Sequence, residues 1–331
     1  MNWYDAPMSQ SPSTSKAGVE HREIASGEAG QRLDNYLLRQ LKGVPRSRIY
    51  RLLRKGEVRV NGRRSKPDYR LERGDRVRLP PVARGTSRPL EELPLPQGLA
   101  QTLAGAVLLE DSDLLVLNKP AGLPVHGGSG VPVGVIEAMR RLRPQEPFLE
   151  LAHRLDRETS GCLVLARNRP ALQAFHASLR EGGVEKTYLA LVAGQWRGGP
   201  RRVQQGLTRN ARRGEVRLVR VDEEGRDADS LFTPLAHYDG ATWMEVQIGT
   251  GRTHQIRVHA AHEGHPVAGD RHYGDFAFNR RLRRLGLRRL FLHARSLSFT
   301  LASSGQSYHL DAPLDPDLAR VLERLGNPEN P

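Results

Sequence analysis

Among 331 residues there is a single cysteine, Cys162, which excludes an intrachain disulfide and any cysteine-based zinc site. Within its apolar run it reads as a small buried hydrophobe. Long apolar stretches are absent as well, and none approaches the roughly 20 residues that span a bilayer. Met1 to Gly18 is polar and rich in Ser and Pro, without the apolar centre of a signal peptide, so the cytoplasm is the expected location. Acidic residues are also scarce: 37 Asp and Glu face 51 Lys and Arg, a formal charge of +14. That imbalance calls for a polyanionic partner, with nucleic acid the first candidate. A membrane surface fits less well, because the basic segments lack a Trp- and Phe-rich face.

The excess charge is concentrated. From Arg32 to Arg88 there are 18 Lys and Arg against five Asp and Glu, which accounts for nearly all of the imbalance. Leu33, Tyr36, Leu37 and Leu41 fall at helical spacing, as do Ile49, Leu52 and Leu53 before Gly56, so two short helices are expected. Val58 to Gly62 reads as a strand entering a tight turn, and Gly74 to Leu79 as another strand. Arg48, Arg51 and Lys55 form a basic stripe on the second helix, suited to phosphate contact alongside Arg46. Composition divides the chain into a tail (1–20), a small basic domain (30–80), a Pro-rich linker (81–103) and a larger domain (104–325).

In the larger domain, Val107 to Leu117 reads as a hairpin, while Val133 to Leu142 and Pro170 to Arg180 read as helices. Short strands are expected at Lys186 to Val192, Glu215 to Val221, Thr242 to Ile248 and Ala294 to Leu301. The fold class is therefore α+β, with a mixed, mostly antiparallel sheet flanked by helices. Between the strand-like Phe148 to Ala152 and the apolar Cys162 to Ala166 lies His153-Arg154-Leu155-Asp156-Arg157-Glu158-Thr159-Ser160-Gly161, with a loop expected at Thr159 to Gly161. It sets Asp156 among basic and turn-forming neighbours on a connection between strands, where functional residues concentrate.

Three other segments carry chemistry. Glu185-Lys186-Thr187-Tyr188 brings a phenol to a strand start, where it reads equally as a tyrosine packed on the core. Gly249-Thr250-Gly251-Arg252-Thr253-His254-Gln255-Ile256-Arg257-Val258-His259 is a glycine turn opening a basic helix start, with Ile256 and Val258 inward. Gly264 to Asp270, with Tyr273-Gly274, reads as a structural loop. The Ser- and Pro-rich N-terminal tail and the basic stretch from Arg280 to Arg289 have no assignment and read either as RNA contacts or as simple surface.

Taken together with Gly269-Asp270 and Leu292-His293-Ala294, these motifs resemble the RNA pseudouridine synthases of the RluA type. The N-terminal pattern Arg32 to Leu37, Ser47-Arg48, Gly56 to Gly62 and Gly74-Asp75 resembles an S4 RNA-binding domain. The resemblance covers about Arg32 to Leu301 and implies isomerisation of uridine to pseudouridine in 23S ribosomal RNA; a monomer is expected, since nothing in the sequence requires a dimer. No cofactor and no metal are implied, since the reaction breaks a glycosidic bond and remakes it at carbon 5 without redox change. Asp156 is implied as nucleophile or base, in a partly dry pocket that demands a cationic partner, for which Arg257 is the carried-over residue. Tyr188 is implied to stack on the target base and to move the proton from carbon 5. The base must leave its stack, Arg154 fills the vacated space, and Leu292 packs against the base. Arg252 and His254 are expected to contact RNA.

Rival chemistries fit only fragments. A glycosidase needs two carboxylates, and Glu158 is the only one close to Asp156 in this stretch. His254 and His259 are five apart, a poor metal-binding spacing without an acidic ligand between them. His126-Gly127-Gly128-Ser129-Gly130 resembles an esterase oxyanion loop but lacks a nucleophile elbow, and His153 to Asp156 lacks the rest of a kinase. The same reaction on transfer RNA or another ribosomal site, and a non-catalytic assembly factor that binds ribosomal RNA, remain the alternatives.

Overall fold

Leu33, Tyr36 and Leu37 lie on one face of α1 (Leu33–Gln40), as Ile49, Leu52 and Leu53 do on α2 (Arg46–Lys55), and all six are buried. This amphipathic spacing closes a small core over a three-stranded antiparallel sheet of β1 (Glu20–Glu23), β2 (Arg59–Val60) and β3 (Arg76–Leu79), ordered β1-β3-β2. The computed structural model describes residues 19–25, 28–41, 44, 46–81, 95–127, 133–213 and 216–327, and these fall into two units, within 19–81 and within 95–327. Of the expected tail only residues 19 and 20 are among them, and β1 begins at Glu20; most of the expected linker and the side chain of Arg46 lie outside.

Residues 99–103, read as linker, form most of α3 (Leu99–Ala104), because Leu99 and Leu103 pack into the core of the second unit. There β4 (Val107–Glu110) and β5 (Leu114–Lys119) make the expected hairpin, followed by α4 (Val135–Leu142), β6 (Glu150–Leu151), β7 (Ser160–Ala166), α5 (Arg169–Glu181) and β8 (Glu185–Ala193). Asn168 caps α5 by accepting from Ala171 N at 2.8 Å, and Gly182 ends it at φ +77°. Then come β9 (Arg201–Gln204), β10 (Leu207–Arg213), β11 (Val216–Val221), β12 (Asp229–Tyr238), β13 (Ala241–Ile248), α6 (Gln255–His262), α7 (Phe276–Arg284), β14 (Leu292–Thr300), β15 (Ser307–Asp311) and α8 (Pro316–Leu325).

One sheet runs β4-β5-β7-β14-β8-β13-β12-β9, with β15 on β14 and β6 on β7, and only the β7–β14 pairing is parallel. It is the mixed, mostly antiparallel sheet expected. β10 and β11 form a separate pair. Ser160 and Gly161, read as loop, already belong to β7, because they pair with His293 and Ala294. β12 escaped the sequence reading because Pro234 interrupts it beside a register shift.

Candidate active site

The central β7–β14–β8 strands bring the site together. The chain enters β7 through the turn that carries Asp156, β8 carries Tyr188, and β14 begins with Leu292. His153 anchors the start of the turn: its Nε2 accepts from Val164 N at 3.1 Å, and burial pulls its pKa down to about 4, so the ring stays a neutral acceptor. Lys119 anchors the other side. Its buried ammonium donates to the carbonyls of Pro120, Leu123 and Arg157 at 2.8, 2.8 and 3.2 Å, joining the end of β5 to the turn. Two elements distant in sequence therefore hold the position of Asp156.

The third part of the site is the turn before α6. Gln255 Oε1 accepts from Thr250 Oγ1 at 2.7 Å and from Arg252 N at 3.0 Å, which curls the backbone so that His254 sits at φ +57° with its ring directed inward. Arg257, in the first turn of α6, is buried and donates to Asp270 through Nε at 2.6 Å and Nη2 at 2.9 Å. Its Nη1 lies 3.8 Å from Asp156 Oδ2, and its guanidinium stands 5.1 Å from the centre of the Tyr273 ring. Burial acts against the charges of this pair, yet their mutual hydrogen bonds prevail: Arg257 is held above its ordinary pKa and Asp270 below the usual carboxylate range.

Tyr273 Oη accepts from Val219 N at 2.9 Å, so its own hydrogen is free for His254 Nδ1, also at 2.9 Å. That leaves the hydrogen of His254 on Nε2, which lies 3.9 Å from Asp156 Oδ2. Burial first, then Arg257, lowers the His254 pKa, so the neutral ring presents an N–H. Asp156 thus faces two donors, both beyond hydrogen-bond length, and among the described residues no hydrogen bond occupies its carboxylate oxygens.

These groups line a cavity of about 60 Å³, several times what one water needs, with Tyr188, Ile248 and Leu292 as its apolar side. Burial first, then the Asp156 charge, pushes the Tyr188 hydroxyl above the ordinary tyrosine value. Arg154 is exposed and lines this cavity and two adjoining grooves, while Arg252, also exposed, donates to Asp227 O at 3.0 Å.

Asp156, Arg154, Tyr188, Arg257, Leu292, Arg252 and His254 therefore meet in one place, although they are spread over more than 130 residues of sequence. Arg48, Arg51 and Lys55 lie on α2 in the other unit. His254, expected to contact RNA, sits beside Asp156. Asp270 and Tyr273, read as parts of a structural loop, bind Arg257 and His254; the place of Gly269-Asp270 among the family-like motifs was their sequence signal. His259 does not join His254 as a ligand, since its two nitrogens bond Ser230 Oγ and Gln205 O. Among the described residues no three His, Cys, Asp or Glu side chains are grouped to hold a metal, and no helix is long and apolar enough to cross a membrane.

The family model for RNA pseudouridylate synthase matches residues 113–262, and that for the S4 domain matches residues 31–77. Ribosomal large subunit pseudouridine synthase C of Escherichia coli (strain K12) is 50% identical over 316 residues, 95% of this chain and 99% of that protein. The protein of the same name from Pasteurella multocida (strain Pm70) is 50% identical over 309 residues, 93% of this chain and 94% of its own. The solved structure of human RNA pseudouridylate synthase domain containing 4 is 28% identical and covers 69% of this chain and 95% of its own, with a TM-score of 0.57. With half of its residues shared over nearly the full length, this chain belongs to the RNA pseudouridylate synthase family and carries an S4 domain ahead of the synthase fold.

Proposed function

We propose that this protein converts specific uridines of 23S ribosomal RNA to pseudouridine, with Asp156 as the residue that starts glycosidic cleavage, and that it acts in the cytoplasm. The observation that carries the reading is the Asp156 carboxylate, its oxygens free of hydrogen bonds among the described residues, in a cavity faced by Arg257 and His254. The Arg257 guanidinium, itself buried, faces the carboxylate from 3.8 Å, beyond hydrogen-bond length, and so leaves its lone pairs to the substrate. In the reaction the bond from N1 of uracil to the ribose breaks, the freed base turns, carbon 5 bonds the sugar and gives up its hydrogen as a proton, and N1 takes up a proton in its place. Atoms balance with no outside reactant.

In this reading Tyr188 and Leu292 sandwich the extruded base, and the Tyr188 hydroxyl relays the carbon 5 proton. Arg154, exposed at the cavity mouth, occupies the space the base leaves. Arg252 and the stripe of Arg48, Arg51 and Lys55, with Arg46, hold the phosphate backbone. The test is tritium release from 23S rRNA labelled at uridine carbon 5, with wild type and Asp156→Ala. Release by wild type alone, together with RNA affinity equal in both, supports the reading, and mapping the modified positions identifies the uridines. If wild type binds the RNA but releases nothing from it or from immature ribosomal particles, 23S rRNA is not the substrate.

A further inference from the structure

From Arg271 to Arg289 the chain carries seven arginines against one acidic residue, Asp275. The structure puts most of this stretch in α7, whose N-terminus is capped by Asp275 accepting from Phe278 N. Phe278 and Leu282 bury the inner face. Phe276, Arg280, Arg283 and Arg284 recur at i, i+4, i+7 and i+8 on the opposite face, and all four are exposed, Phe276 to 72%. Arg281 and Arg289 have acidic partners. Arg271, Arg280, Arg283, Arg284 and Arg288 are exposed and form no ion pair among the described residues.

Folding alone gives no reason for this face. One cation near a helix C-terminus is favourable, but Arg280 with Arg283 and with Arg284 makes like-charge neighbours at helical spacing, which repel. An exposed phenylalanine in line with them gains nothing in water. An anionic chain with planar groups answers both features, through phosphates on the arginines and an unpaired base on Phe276. The face also lies near the chemistry: α7 starts six residues after Asp270, so no more than about 20 Å of chain separates Phe276 from the Arg257 clamp.

We infer that the exposed face of α7, with Arg271 and Arg288, is an RNA-binding surface that holds the phosphate backbone of the substrate beside the target uridine and stacks an unpaired base on Phe276. The choice of RNA over other polyanions rests on the function proposed above.

The test uses the full chain with R280Q/R283Q/R284Q/R288Q and, separately, F276A, and measures affinity for a transcribed 23S rRNA fragment across a KCl series. The fourfold variant should bind at least about tenfold more weakly, and its log-affinity against log-salt slope should shrink by about 3 to 4, at roughly 0.9 per phosphate released. F276A should weaken binding roughly tenfold with the slope unchanged. Lysines at the four positions should restore the slope, which a folding defect would not allow.

Unchanged affinity and slope in the fourfold variant would overturn the inference. So would selective loss of binding to phosphatidylglycerol vesicles, or a changed sedimentation mass with RNA affinity intact, which would give the face to a lipid surface or to a second copy. Affinity is read without turnover, so a wild type that binds the fragment but releases no tritium defeats the synthase reading while leaving this one to its own result.

Discussion

Asp270 holds Arg257 by two hydrogen bonds, 2.6 and 2.9 Å, and thereby points the remaining guanidinium nitrogen at Asp156 from 3.8 Å. Asp270 has no exposed side-chain surface, so it acts on the carboxylate only through the arginine. The pair is buried, and removing one member leaves the other charge without compensation. Asp270→Asn is expected to destabilise the protein by on the order of 3 kcal/mol, a fall of roughly 6–12 °C in Tm. Its kcat should fall much more than its affinity for RNA. Arg257→Lys keeps a charge but not the fork, so it should share the kcat loss with a smaller stability cost. Thermal melts and single-turnover tritium release on both variants check this, and a normal kcat in Asp270→Asn would refute the clamp.

Tyr188 meets the cavity with its phenol, and its ring packs on the core from β8. Tyr188→Phe preserves the ring and deletes the hydroxyl proposed as the relay, so turnover should fall at least about 10²-fold while RNA affinity stays within about twofold. Because burial and the Asp156 charge both raise its pKa, the hydroxyl stays protonated above the ordinary tyrosine range. The single-turnover rate plotted against pH should therefore show no step near pH 10, the usual tyrosine value. A step there, absent in Tyr188→Phe, would contradict the raised pKa.

His153 titrates near 4 in the folded protein, against about 6.5 when unfolded. Between these values the unfolded chain binds more protons, so stability is complete above pH 6.5 and is lost as pH falls through this window toward 4. The loss from this residue is on the order of 2 to 3 kcal/mol. His254, His259 and His293, all lowered chiefly by burial, act in the same direction. Urea unfolding followed by the fluorescence of Trp196 and Trp243, both in the synthase unit, should show a lower midpoint at pH 5 than at pH 7, and His153→Asn should shrink the difference.

Gly161 stands at φ +109°, where a Cβ would lie 2.2 Å from the carbonyl oxygen of Ala294. That backbone contact cannot yield without parting β7 from β14, the strands that set Asp156 against Leu292. Gly161→Ala is expected to cost more than about 3 kcal/mol and to yield an insoluble or inactive protein. Full activity with an unchanged melting temperature would refute the close approach.

The S4 unit was legible because its information is local: Leu33, Tyr36 and Leu37, and Ile49, Leu52 and Leu53, declare two helices by spacing, and its basic side chains need no tertiary partner to be recognised. Asp156 stood out for a similar reason, an acid among basic and turn-forming residues between apolar runs. α7 was missed as a helix because its apolar side is only Phe278 and Leu282 among arginines, so its period shows only once those two meet the core formed with α8.

Sequence by itself determined the residue types the chemistry needs, the two-part division and the mostly antiparallel sheet, since periodicity, turn chemistry and charge are written along the chain. Tertiary structure alone decided that Asp270 and Tyr273 are parts of the site, that His254 faces Asp156, and that Gly161 belongs to a strand. Each depends on groups far apart in sequence: Val219 must lend its N–H before Tyr273 can fix the His254 tautomer, and Ala294 must lie against Gly161 before its left-handed backbone has a purpose. Hydrogen bonds and close contacts act over a few ångströms, and only the folded β7–β14–β8 sheet with α6 brings those ångströms about.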